Sequence, residues 1–237
     1  MTSFDAIRAR AAKRKGGDAV LAGLLPKVAA AKMLAALPDD RILSEMTRRI
    51  FCSGFAWPVI EKKWPGFEVA FLGFDPPGLC RQPPEFWDAL TSDTRIVRNG
   101  QKIMSVAANA RFVADISAEA GGFGGFLASW PAADQIGLLT LFAKRGARLG
   151  GHTGQYLLRF LGKDGFILSR DVVACLRDSG LDIAENPTSK RDLGRIQARF
   201  NDWAKETRLP YTHLSRICAM SIGEIYPAER LHAYMSE

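Results

Sequence analysis

The chain has 237 residues, 47% hydrophobic and 24% charged, with a formal net charge of +7. Those figures suit one compact domain, or one domain with a small appendage, and exclude a low-complexity chain. No apolar run approaches the roughly 20 residues of a membrane span, and the opening MTSFDAIRARAAKRKGG has no apolar centre of a secretory signal, so the expectation is a soluble cytoplasmic protein without a membrane partner.

The charge is uneven. Residues 1–32 hold seven Lys or Arg against Asp5 and Asp18, which leaves +5 on this stretch and +2 on the rest. Residues 1–38 therefore read as a basic N-terminal arm or helix, and 39–237 as the main domain, with Asp39 or Asp40 able to cap its first firm helix. Apolar residues at three- and four-residue spacing predict helices over 39–56, 86–91, 101–118, 134–145, 153–161, 171–179 and 191–207. Pro and Gly punctuate between them. Strand-like alternation is scarce, one run standing just before 171, so the fold class is all-α. Cys52, Cys80, Cys175 and Cys218 form no CxxC pair, which fits reduced, buried thiols.

The densest signal is KRGARLGGHTGQYLLRF from Lys144, read as helix, tight glycine turn and helix near 139–162. Gly146 would end the first helix, and Gly150 and Gly151 would free backbone N–H groups where the second begins, a place that suits a phosphate oxygen. Lys144, Arg145 and Arg148 add charge around the turn, and His152 and Thr153 add side-chain donors. A basic stretch on a near-neutral body points the same way, to a polyanion. By spacing alone, an ordinary αα-turn with a glycine cap reads equally well.

Several further segments stand in a shared order: LSEMTRRIFCSGFAWPVIEKKWPGFEVAFLGFDP at 43–76, IVRNGQKIMSVAANARFV at 96–113, GGFGGFLASW at 121–130, then the hairpin and DVVAC at 171–175. Together they resemble the DNA-3-methyladenine glycosylase I family, within the helix-hairpin-helix DNA glycosylase superfamily, over roughly residues 40–180. The resemblance implies a two-lobed helical glycosylase without a cofactor, a monomer whose partner is double-stranded DNA containing alkylated bases. Such an enzyme flips an alkylated purine into a pocket between its lobes and hydrolyses the glycosidic bond.

Residue roles follow from the same resemblance. Trp57 falls where the family stacks a tryptophan on the extruded base, with Phe51 and Phe55 as further pocket walls. The family's base-reading glutamate is replaced by Arg49 or Ile50, and Glu45 lies about one turn early. The family's amino-terminal tyrosines and zinc-binding Cys and His have no counterpart, since neither Tyr nor His precedes Gly150. The later metal pair reads Asp171 and Cys175, and no metal is expected. Asp171 is the catalytic candidate, to stabilise an oxocarbenium-like sugar or orient water; the wider superfamily register puts that aspartate at Ser169, where an N-cap serine followed by a first-turn carboxylate reads equally well. Two classes stay open: a monofunctional glycosylase for N-alkylated purines, and a non-catalytic DNA-damage-binding protein on the same scaffold.

Overall fold

A computed structural model of the chain describes residues 2–223, which contain helices and extended connections and no strand. In chain order the α-helices are α1 (Phe4–Lys15), α2 (Asp18–Gly23), α3 (Ala31–Ala35), α4 (Asp39–Cys52), α5 (Trp57–Ala70), α6 (Pro76–Cys80), α7 (Pro84–Leu90), α8 (Gly100–Ala120), α9 (Phe123–Ser129), α10 (Gln135–Arg145), α11 (Gly151–Phe160), α12 (Arg170–Asp178), α13 (Lys190–Thr207) and α14 (Tyr211–Ser221). No described helix is long and apolar enough to cross a membrane. The described residues form two units: the first takes 2–28, 132–136 and 164–223, and the second takes Ala29–Pro131 and Gly137–Lys163.

In the second unit, α4 and α8 supply the central apolar faces. Ile42, Met46 and Ile50 recur at four-residue spacing on α4, and Ile103, Val106, Ala110 and Val113 at three and four on α8; all are buried in one core. Asn99 starts α8 by accepting a hydrogen bond from the Lys102 N–H, and Gly121, at φ 73°, ends it in the left-handed conformation. Against this pair lies an aromatic block in which Trp64 stacks on Phe67 and Phe74, with ring centroids 5.0 and 5.6 Å apart. Phe51, expected as a pocket wall, belongs to this block, fully buried and edge-on to Phe67 at 4.7 Å. Its side of α4 faces the core.

The first unit takes its earliest helix from the basic stretch before residue 38. Phe4, Ile7 and Ala11 form one apolar stripe and are buried in the unit's core with Phe166, Phe200, Trp203 and Leu214. The basic residues that dominate the composition of α1 sit on its other faces, so charge counting hides the stripe. The run before 171 is extended and buried, but it pairs with side chains in place of a second strand. The Phe166 N–H and C=O bond the Gln135 amide at 2.7 Å each, Gly165 N–H donates to the Thr212 hydroxyl at 3.2 Å, and Ile167 N–H donates to the Ser215 hydroxyl at 3.0 Å. Buried backbone must find partners somewhere, and here helices α10 and α14 provide them.

Candidate base site and nucleic-acid interface

The glycine hairpin lies between α10 and α11, and three backbone features fix its shape. Arg148 and Gly151 are left-handed, with φ of 59° and 57°. A Cβ on Gly146 would stand 2.9 Å from the Phe142 carbonyl oxygen and 2.7 Å from a Leu149 methyl, so the turn needs glycine there. Asn109 of α8 then grips the turn from below: its amide donates to the Ala147 carbonyl at 3.0 Å and accepts from the Ala147 N–H at 2.8 Å. Gly150 is the N-cap of α11 and makes no side-chain cap bond, and the positive end of the helix dipole faces the turn.

The basic side chains around this turn are not equivalent. Arg145 makes a bidentate pair with Glu119 at 2.9 and 2.7 Å, which occupies its fork. Arg148 is exposed and donates to the Gln101 side chain. Lys144 and His152 are exposed and Thr153 is half-buried. Leu149, between the charges, is fully buried and ties the turn to the core.

Lys102, from the IVRNGQK segment, is 7% exposed and points into the protein. Its ammonium donates to the carbonyls of Ile50 at 2.8 Å and Phe51 at 3.2 Å, and also to that of Ser53, so it caps the C-terminal end of α4. Burial lowers its pKa, and the charge of Arg148 lowers it further. Phe55, a candidate pocket wall, is exposed and lies beside this ammonium at 4.7 Å from ring centroid to nitrogen.

The end of α4, the start of α5 and the last turns of α11 meet around Trp57. Its ring is edge-on to Tyr156 at 6.3 Å and tilted against Phe160 at 5.6 Å. Over the faces of Trp57 and Phe160 lies Arg49. It is 4% exposed, with its guanidinium carbon 3.8 Å from the Phe160 centroid and 4.8 Å from that of Trp57. Its Nε stands 2.6 Å from a carboxylate oxygen of Glu45, one turn earlier on α4. The approach is not aligned for a hydrogen bond: among the described residues Arg49 Nε and Nη1 and that Glu45 oxygen are buried without one. Burial pushes the Glu45 carboxyl above its ordinary pKa, against the pull of Arg49 and Arg48. The structure thus brings Glu45, Arg49 and Trp57 together, adds Tyr156 and Phe160, which sequence reasoning missed, and assigns Phe51 to the core. The signal for the missing pair was the four-residue spacing of Tyr156 and Phe160 on an amphipathic helix.

Asp171 belongs to the first unit, in the first turn of α12. Ser169 is the N-cap, accepting from the Val172 N–H at 3.3 Å. The Asp171 carboxylate is half-buried against Gly223, whose position leaves no room for a Cβ: one would stand 2.6 Å from a carboxylate oxygen. Deeper on the same helix, Cys175 is buried against Cys218 and lies 3.4 Å from the Ser221 hydroxyl. The bond to the Cys218 thiol, with the Ser221 hydroxyl and Arg10, holds Cys175 down to about 7, while burial pushes Cys218 well up. Among the described residues no three His, Cys, Asp or Glu side chains are grouped to share a metal ion.

A family model described as methyladenine glycosylase matches residues 36–144, from the end of α3 to the last turn of α10. Over this stretch the chain is similar to the methyladenine glycosylase family. The same segment holds Arg49, Trp57, Lys102 and Asn109. Among solved structures, the chain is similar to the 8-oxoguanine DNA glycosylase of Methanocaldococcus jannaschii, at 15% identity and a TM-score of 0.53 over 93% of this chain and 94% of that one. That likeness shows an all-α DNA glycosylase fold along nearly the whole chain. The 3-methyladenine DNA glycosylase I of Staphylococcus aureus is 22% identical over 53% of this chain and 77% of its own, with a TM-score of 0.47. Comparison with curated protein sequences gives no match.

Proposed function

We propose that this protein is a monofunctional DNA glycosylase that binds duplex DNA through the α10–α11 helix-hairpin-helix and hydrolyses the glycosidic bond of an extruded N-alkylated purine. The observation that carries the reading is the preorganised glycine hairpin, locked by Asn109, which follows directly on the segment that matches the methyladenine glycosylase family model. Backbone amides at this turn, with Arg148 and Lys144, would neutralise phosphate and set the register on DNA. Extrusion is needed because a stacked base exposes no route to its C1′–N9 bond. The extruded purine would lie against Trp57. Hydrolysis breaks C1′–N9, the base leaves with the electron pair, and water adds its oxygen to C1′ as its proton is released. Asp171 is assigned to the developing positive sugar, or to that water. The protein acts as a cytoplasmic monomer on the nucleoid.

Release of free base from an alkylated duplex tests the reading, with Asp171→Asn as control. Base release that Asp171→Asn lowers by about 100-fold or more, the scale of one lost electrostatic stabiliser, supports it. No release despite tight duplex binding would favour a damage-binding protein without turnover, a second reading that the seating of Arg49 over Trp57 and Phe160 also favours.

A further inference from the structure

A cationic alkylpurine is a flat, delocalised cation, and two features would hold it: aromatic faces against it and a carboxylate at its edge. Here those features already hold a flat, delocalised cation belonging to the chain. The Arg49 guanidinium lies 3.8 Å from the Phe160 centroid and 4.8 Å from that of Trp57, with its Nε 2.6 Å from Glu45. We propose that Arg49 is the specificity-determining residue of this site, filling it as an internal planar cation and so barring cationic purines, which leaves neutral alkylated purines as the class the wild-type protein admits.

Two arguments support exclusion. Arg49 is 4% exposed and its guanidinium lies over the faces of both Phe160 and Trp57, so those faces are already taken. Any cation beside it would meet a like charge in a poorly solvated site, where repulsion is strong. The proposal rests on reading this slot as the base site, and it changes the lesion class that slot accepts.

The test titrates free nucleosides, followed by tryptophan fluorescence: 1-methyladenosine, an N-alkylated purine cationic at neutral pH, and adenosine, its neutral parent. Wild-type protein should bind adenosine more tightly than the cation, and equal binding of the two would count against the exclusion. Arg49→Ala should bind 1-methyladenosine about ten-fold more tightly than wild type does, the order a desolvated cation–π contact supplies, and should prefer it to adenosine; adding Trp57→Ala should erase the gain. Arg49→Ser, which leaves a hydroxyl for Glu45, reads the same way should the alanine variant fold poorly. A wild-type preference for the cation, or folded Arg49 variants that gain nothing, would overturn the proposal. Neither result depends on DNA, so failure to release base from a duplex counts against the proposed function alone.

Discussion

Lys102 bonds three carbonyls at the end of α4 from a buried position, and no other donor is set to replace it there. Lys102→Met should therefore cost about 2–4 kcal/mol, because hydrogen bonds to a charged donor are lost and the carbonyls are left in a poorly hydrated place; the midpoint of denaturant unfolding measures it. Trp57 behaves differently. It is half-buried at the start of α5, so Trp57→Ala should cost less than the about 3–5 kcal/mol of a core aromatic while lowering lesion binding by about ten-fold through lost ring stacking. A Tm that collapses while lesion binding by the folded fraction is unchanged would return Trp57 to the core. At this scale the sequence showed that a glutamate was missing near Arg49, because a family pattern makes a gap visible. It did not show Tyr156 or Phe160, because their contact with Trp57 depends on how α11 packs beside α5, about a hundred residues away along the chain.

At the scale of elements, the hairpin separates structural glycines from permissive ones. Gly146→Ala places a methyl against the Phe142 carbonyl and Leu149 and should destabilise by about 1–3 kcal/mol. A Cβ at Gly150 meets only the Ala143 methyl at 3.7 Å, an ordinary contact, so Gly150→Ala should stay within about 0.5 kcal/mol. Arg148→Glu leaves the turn's anchors untouched and should weaken duplex binding while lowering the slope of log affinity against log salt by about 1 or more; an unchanged slope would remove this side chain from the contact. Helix periods were legible from spacing, and α8, α12 and α13 begin and end within two residues of expectation. The extended run 164–169 was misleading because alternation reports a buried extended backbone and says nothing of whether a strand or a set of side chains bonds to it.

Across the whole molecule, the buried thiols predict how stability follows pH. Cys175 titrates at about 7 in the fold and at about 8.5 unfolded, so its contribution is present above 8.5 and lost as pH falls through 7, on the order of 2 kcal/mol. Cys218 is shifted upward, and its contribution is present below about 8.5 and lost as pH rises. Stability should climb from pH 7, peak near 8.5 and decline beyond, and Cys175→Ser should flatten the rising limb in a series of thermal unfolding curves. The first unit also depends on its earliest helix: Phe4 is fully buried, 5.2 Å from Trp203, so Phe4→Ala should cost about 3–5 kcal/mol. Composition could not reveal this, because Phe4, Ile7 and Ala11 are outnumbered by their charged neighbours.

Helix α11 begins at the glycine turn and ends at Phe160, so one rod of about 13 Å, at 1.5 Å per residue, joins the turn to the aromatic slot. It works as a ruler. Whatever anion rests at its start has its distance and bearing to Phe160 set by a count of residues rather than by a flexible tether. A single residue inserted after His152 would swing Tyr156 and Phe160 by about 100°, and the two ends, each still intact, would measure out different nucleotides.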